Sequence, residues 1–404
     1  MTKKSDAPAI RFKGFSDAWE QRKFEEIAVR SSVICSDDTL PRVEYEDIVS
    51  GTGRLNKDIY AKQSSKSGIV FHQGDVLYGK LRPYLQNWLL PTFDGLAVGD
   101  FWVLQPQNAD SSFLYRLIQS RQFDEVANQS TGTKMPRADW KLVSKTVFSI
   151  PSNISEQAAI GTYFTALDSL ITLHQRKFEK LTNVKKSMLE KMFPQNGSSY
   201  PEIRFKGFTD PWEQRKLASL CEKFTDGDWI ESKDQSDFGV RLVQTGNVGV
   251  AEYLDKTNNK KWISEDTFDR LHCEEVLPGD ILISRLPEPA GRACIVPLLG
   301  TKMITAVDCT IVRTAPDMSN KFLVQYLSSQ AYFDDVNTCL AGGTRQRISR
   351  GNLANFNVPI PVKKSEQDAI GMFFGYLDNL ITLHQRELEK LQNIKKSMLE
   401  KMFV

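Results

Sequence analysis

The sequence predicts an α+β fold in which two α/β domains, in a pseudo-twofold arrangement, are joined by two long antiparallel coiled-coil helices. Three observations lead to this prediction. Two segments of the 404-residue chain occur twice. The longer one carries a heptad spacing of apolar residues in both copies. The segments between them contain β-rich runs punctuated by glycine and proline.

The internal repeat divides the chain into two copies of one plan. Residues 10–23 return at 203–216 with 12 of 14 positions identical, and residues 155–193 return at 365–403 with 29 of 39 identical. Identity stops abruptly in between, whereas drift after a duplication would scatter changes evenly. We therefore expect the repeated parts to face equivalent partners or each other, and the unlike middles to face unlike targets. Trp19 and Trp212, in the short repeat, are predicted to be packing anchors.

The repeat also sets the predicted domain boundaries. They are a first domain over 1–154, a spacer helix over 155–193, a linker over 194–202, a second domain over 203–364 and a second spacer helix over 365–404.

The long repeats are predicted to be helices that pair along an apolar seam. Neither contains proline, and Ser155 and Ser365 are predicted to cap them. Apolar positions advance in alternating steps of four and three, with Lys185 and Lys395 as interruptions. Leu173 and Leu383 are also expected to belong to the pair. A buried helix pair within one globule is the alternative interpretation. The predicted interface consists of Leu167, Ile171, His174, Phe178, Leu181 and Met188 in the first helix and Leu377, Ile381, His384, Leu388, Leu391 and Met398 in the second.

The intervening segments are predicted to be α/β domains with basic turns late in each, at 131–141 and 342–352. Arginine and lysine beside Gly-Thr turns suit phosphate contacts, and arginine and glutamine can also read base edges. A solvated basic face is the alternative for any single residue. The predicted DNA-binding residues are Lys80, Arg82, Tyr84, Lys134 and Arg137 in the first domain and Arg285, Arg345, Gln346, Arg347 and Arg350 in the second.

Motifs of common enzyme classes are absent from the sequence. It contains no phosphate loop, no dinucleotide fingerprint, no GxSxG and no zinc-ligand spacing. Asp228 with Glu231 and Lys233 loosely resembles a nuclease arrangement, but the first half has no counterpart. We therefore predict no catalytic residue, no metal site and no cofactor in this chain. Six cysteines without CxxC spacing, and no apolar run of the roughly 18 residues that a membrane span needs, predict a cytoplasmic protein.

The order of these segments resembles that of the specificity subunit of a type I restriction–modification system. The segments are the repeated IRFKGF[ST]DxWEQRK, the repeated SEQxAIG…LDxLITLHQR…KKSMLEKMF and the two divergent domains. The resemblance covers essentially the whole chain. It implies two target recognition domains, each reading one half of a bipartite, asymmetric DNA site, and helices that set the half-site separation and dock two modification subunits. S-adenosylmethionine, ATP and magnesium are expected on partner subunits, which include two restriction (translocase-nuclease) subunits.

Two other classes of protein remain as alternatives. One is a stand-alone tandem-domain DNA-binding regulator. A strongly basic domain or helix-turn-helix spacing would favour it, and neither is evident. An enzyme with an unrecognised active site would methylate or cleave DNA alone. The net charge of only +2 predicts that DNA affinity is shared with partner subunits and that the isolated chain binds DNA weakly.

Overall fold

The chain folds into two compact units, each containing one divergent domain and a portion of both long helices. A computed structural model describes residues 8–61, 64–129, 135–195, 197–343 and 346–403. The first unit contains the chain up to Arg176 and again from Gln385, and the second contains Lys177–His384. The predicted α+β class with two long helices is confirmed.

The first unit is built mainly from short strands. Its strands are β1 (Trp19–Lys23), β2 (Ala28–Ser31), β3 (Ile34–Cys35), β4 (Arg42–Val43), β5 (Ile48–Val49), β6 (Arg54–Leu55), β7 (Gly68–Phe71), β8 (Val76–Gly79), β9 (Trp88–Leu89), β10 (Gly95–Ala97), β11 (Phe101–Pro106) and β12 (Val147–Pro151). Its α-helices are α1 (Phe24–Ile27), α2 (Ser111–Leu117), α3 (Arg121–Ala127), α4 (Trp140–Lys145) and the start of α5 (Ile154–Lys191).

A central antiparallel sheet, in the order β2-β11-β8-β9, lies between two apolar clusters of the first unit. Alternate side chains of a strand point to opposite faces. Val76 and Tyr78 of β8 accordingly pack with the helices, whereas Leu77 packs with the second sheet, β3-β7-β10-β4. Burial on both faces explains why this stretch of the sequence is continuously apolar.

The second unit repeats the central sheet but not the second one. Its central sheet has the order β14-β21-β18-β19, matching the first unit, while the other sheet has the order β15-β17-β16-β20. Its strands are β13 (Glu213–Lys216), β14 (Cys221–Asp226), β15 (Gln235–Ser236), β16 (Val240–Val243), β17 (Lys261–Ile263), β18 (Ile281–Ser284), β19 (Ala293–Ile295), β20 (Met303–Thr305), β21 (Cys309–Thr314) and β22 (Asn357–Ile360). Its helices are α6 (Glu265–Leu271), α7 (Asn320–Tyr326), α8 (Gln330–Thr338), α9 (Arg350–Ala354) and the start of α10 (Lys364–Met402).

An ion pair, which we call the clamp, joins the short repeat to the start of the long helix within each unit. In the first unit, Arg11 donates to both carboxylate oxygens of Glu156, through Nε at 2.6 Å and Nη2 at 2.7 Å. The indole Nε1 of Trp19 donates to the same carboxylate at 3.3 Å. Arg204, Trp212 and Glu366 repeat this arrangement in the second unit. The two tryptophans are buried, as expected of packing anchors.

The long helices begin earlier than Ser155 and Ser365 predict. Helix α5 starts at Ile154, and the side chain of Asn153 accepts the Ser155 N–H at 2.8 Å, so the capping group is Asn153. Helix α10 likewise starts at Lys364. The earlier start places Glu156 inside the first turn, where it forms the clamp.

Portions of α5 and α10 run antiparallel inside each unit. In the first unit Asp168 of α5 lies 2.7 Å from Lys395 of α10, and Phe164 lies near Phe403. In the second unit Lys185 lies 2.5 Å from Asp378. The two lysines that interrupt the apolar seam are therefore neutralised by an aspartate on the facing helix, which lowers the cost of placing them there.

Two leucines expected in the helix pair point elsewhere. Leu173 and Leu383 are exposed, so that expectation is wrong for both. Each precedes a half-buried seam histidine by one residue, and one residue turns a helix by about 100°. The neighbouring position therefore faces away from the seam.

Candidate nucleic-acid interface

Four of the basic and aromatic residues predicted in the first unit are brought together by a loop that follows β8. Residues 79–87 form a nine-residue loop, closed by a hydrogen bond from the Gly79 N–H to the Asn87 carbonyl at 2.7 Å. The Lys80 carbonyl accepts the Ala138 N–H at 2.8 Å, and the Arg82 N–H donates to the Pro136 carbonyl at 2.7 Å. Loop 79–87 therefore lies against the basic turn that sequence analysis singled out 50 residues later.

An aspartate sits between the two cations of this surface. The Asp100 carboxylate lies 3.4 Å from Lys80 Nζ and 3.1 Å from Arg137 Nη2. Burial acts to raise the pKa of Asp100, but hydrogen bonds from Arg137 and Lys80 outweigh it and hold the pKa below its usual range. The ion pairs with Asp100 thus hold both cations in place.

The tip of loop 79–87 faces solvent. Arg82 has a left-handed backbone with φ of 49° and an exposed side chain, and Tyr84 is 56% exposed. Exposed guanidinium and phenol groups on a fixed turn can reach phosphates or base edges. Lys134, the fifth residue predicted here, lies outside the described residues.

The second unit has the same loop in the same place. Residues 284–292 are closed by the Ser284 N–H donating to the Arg292 carbonyl at 2.9 Å, and the Arg285 carbonyl accepts the Ile348 N–H at 3.1 Å. The guanidinium of Arg285 points into the unit, where Nη2 donates to the Val307 carbonyl at 2.5 Å and only 11% of the side chain is exposed. Arg285 therefore holds the base of the loop rather than its outer surface.

The late basic turn of the second unit presents the remaining candidates. Arg347 pairs with Ala341 through two backbone hydrogen bonds of 2.9 and 3.0 Å. The side chains of Arg347 and Gln346 are exposed. Arg350, at the start of α9, lies 3.8 Å from the Asp226 carboxylate, and Arg285 lies 3.6 Å from it. Asp226 thus has the role that Asp100 has in the first unit. Arg345 lies outside the described residues.

The twelve predicted interface residues of the long helices are all buried or half-buried. Those that join an apolar core are Leu167, Leu391 and Met398 in the first unit and Leu181, Met188 and Leu377 in the second. Leu388 is buried, and the half-buried ones outside these cores are Ile171, His174, Phe178, Ile381 and His384.

Sequence reasoning missed the acidic partners of these surfaces. Asp100 and Asp226 anchor the basic turns, while Asp168 and Asp378 neutralise the seam lysines. The signal available for the last two was their place at the fourteenth position of each long repeat, where both copies carry the same Leu-Asp pair.

The nuclease-like triple is dispersed. Asp228 accepts the Glu274 N–H at 2.9 Å, whereas Glu231 pairs with Lys233 at 2.9 Å. Across the described ranges of the chain, no three histidine, cysteine, aspartate or glutamate side chains are grouped so that they could hold a metal ion. Within the same ranges, no helix has the length and apolar character to cross a membrane.

Comparison with known proteins points to one family. The family model for the type I restriction modification DNA specificity domain matches residues 209–393. The chain is 23% identical over 335 residues to the type I restriction enzyme MjaVIII specificity subunit of Methanocaldococcus jannaschii, covering 78% of this chain and 77% of that one.

Solved structures agree in fold. The type I restriction-modification S subunit from M. genitalium superposes with a TM-score of 0.64 at 13% identity, covering 98% of this chain and 99% of that one. A chain from a structure on the complex assembly and conformational transition of the type I R-M system gives a TM-score of 0.51 at 18% identity, covering 94% and 96%. By its repeats, its fold and these matches, the chain is similar to the type I restriction–modification specificity subunits.

Proposed function

We propose that this chain is the DNA sequence-recognition subunit of a type I restriction–modification complex and is itself non-catalytic. Each unit contacts one half of a bipartite, asymmetric site. The two long helices set the half-site separation and dock two modification subunits, and two restriction subunits complete the assembly. S-adenosylmethionine, ATP and magnesium bind to those partners, in the cytoplasm where the DNA lies.

The observation that supports the proposal is a pair of loops, 79–87 and 284–292, held by matching backbone hydrogen bonds in the two units. In both units a nine-residue loop follows the buried strand of the central sheet and lies against a basic turn. Exposed cations gather there, with Arg82 and Arg137 in one unit and Arg347 and Arg350 in the other. Two such surfaces with unlike residues suit two unlike half-sites, because base-edge contacts carry sequence information while phosphate contacts do not.

Acidic anchors limit the net positive charge of each surface. Lys80 and Arg137 share Asp100, and Arg285 and Arg350 share Asp226. Non-specific DNA affinity rises with the number of phosphates that are neutralised. Because these four cations are already paired with an acid, we expect the isolated chain to bind DNA weakly and without sequence preference. A nanomolar, sequence-specific complex formed without partner subunits would contradict this.

The test is a long-read methylome of cells that express the cognate modification subunit with and without this chain. We expect adenine methylation at one split, asymmetric motif only when the chain is present. If the complex is expressed and the methylome is unchanged, the proposal fails in favour of the stand-alone regulator. Methylation or cleavage by the purified chain alone would instead show that it is an enzyme.

A further inference from the structure

We propose that Glu288 reads a base for the second unit, accepting a hydrogen bond from the exocyclic amino group of a cytosine in the half-site contacted by this unit. The inference rests on the proposed function, because it assigns a specificity to the same surface. Glu288 is not among the DNA-binding residues predicted from the sequence, none of which is acidic.

The two nine-residue loops correspond position by position. Both are closed by a hydrogen bond between their first and last residues. In both, the eighth residue has a positive φ, which is 55° at Gln86 and 85° at Gly291. The second residue of each donates its N–H to an aspartate carbonyl at 2.9 Å, Lys80 to Asp100 and Arg285 to Asp308. The correspondence is therefore gapless.

The correspondence places unlike residues at like tips. The tip of the first loop is Arg82-Pro83-Tyr84, and the tip of the second is Pro287-Glu288-Pro289. Glu288 and both flanking prolines are exposed. The match pairs Arg82 with Pro287 and Pro83 with Glu288, so the tip of the first loop carries a cation and the tip of the second carries an anion one position further along.

A buried arginine holds the second loop rigidly. Arg292 donates through Nε to the Val248 carbonyl at 2.6 Å and through Nη2 to the Thr245 carbonyl at 2.9 Å. Its Nη1 donates to the carbonyls of Leu286 at 2.8 Å and Pro289 at 2.9 Å, on either side of Glu288. The tip is thus fixed before DNA binds, which keeps the entropy cost of recognition low.

The charge of Glu288 selects the base. Near DNA a carboxylate is repelled by phosphates, so it can contribute only where a hydrogen-bond donor meets it. In the major groove, cytosine N4 and adenine N6 are donors, but adenine carries the acceptor N7 beside N6. A carboxylate therefore favours cytosine. The same repulsion acts against non-specific DNA and so sharpens selectivity.

The experiment compares methylomes and competition binding for the complete complex carrying Glu288→Gln, Glu288→Ala or the control Asp269→Asn. Asp269 is an exposed acid on α6 of the same unit, so its loss changes net charge equally. We expect the two Glu288 variants to accept substitutions at one G·C pair of one half-site about five- to tenfold more readily than wild type, the lower end of what one base-edge contact contributes. The control should keep the wild-type preference.

A relaxed motif is a gain of new sites, which a misfolded variant cannot produce. The inference is overturned if both Glu288 variants keep the wild-type base preference at every position of the motif. It is also overturned if they bind all DNA duplexes equally more weakly than wild type while the complex still assembles. It is also overturned if neither half-site of the wild-type motif contains a G·C pair that responds. Absence of any split motif for the wild-type complex would overturn the proposed function itself.

Discussion

Removing the clamp carboxylate should open one unit locally and leave the other unchanged. Glu156 is only 1% exposed and accepts three hydrogen bonds from Arg11 and Trp19. Breaking one side of a buried ion pair costs about 3–5 kcal/mol. Because 17% of the Arg11 side chain remains exposed, water can partly rehydrate it. We therefore expect Glu156→Ala to lower the local opening free energy by about 3 kcal/mol, at the low end of that range.

Hydrogen exchange measured by mass spectrometry resolves such local openings. A loss of about 3 kcal/mol corresponds to exchange faster by on the order of a hundredfold. The acceleration should appear in peptides covering 8–20 and 154–165 and be absent from 201–213 and 364–375. Glu366→Ala, the matched variant of the second clamp, should give the reverse pattern. Equal acceleration in both units, or acceleration of less than about threefold in the unit that carries the substitution, would refute this account of the clamp.

Three further perturbations test the candidate interface, the packing of α5 and the burial of one aspartate. Arg347→Ala combined with Arg345→Ala should abolish methylation that depends on one half-site, with assembly intact by native mass spectrometry; loss of assembly would contradict a DNA-reading role. Gly161→Ala should destabilise by about 1–3 kcal/mol despite the better helix propensity of alanine, because a Cβ would lie 2.9 Å from the Ser112 carbonyl carbon; a raised Tm would refute this. Burial raises the pKa of Asp228 above its unfolded value, so its ionisation lowers stability as pH rises through the folded pKa. Asp228→Asn should therefore raise the urea midpoint at pH 7 and lose this advantage as the pH is lowered through about 4; an equal effect at both pH values would contradict it.

The periodic and repeated parts of the fold were predictable from sequence because their signals are local. The heptad spacing predicted the two long helices, which run over Ile154–Lys191 and Lys364–Met402. The apolar runs form strands of the central sheets. The start of α5 was misplaced because Asn153 competes with Ser155 as a capping group. Both residues suit that position, and only the tertiary position of Glu156 decides between them.

The candidate interface was less predictable because its geometry comes from residues distant in sequence. The sequence around Arg285 predicts a surface cation, but tertiary contacts turn its guanidinium toward the carbonyl of Val307. Arg82 adopts a left-handed backbone that its residue type disfavours. Its negative charge makes Glu288 a poor candidate for a DNA contact. Only the gapless match of its loop with loop 79–87 identifies it as one. Long-range backbone hydrogen bonds of this kind leave no periodic trace in the sequence.

The shared frame of loops 79–87 and 284–292 separates what keeps the protein folded from what it discriminates. The closing hydrogen bonds and the Arg292 donors involve main-chain carbonyls, which every residue type possesses. Tip residues can therefore be exchanged with little effect on folding. A population of such proteins can acquire a new DNA preference through one or two codon changes, or by recombining one loop into the other unit. The architecture thus allows the loop tips to change while the backbone contacts that hold them stay the same.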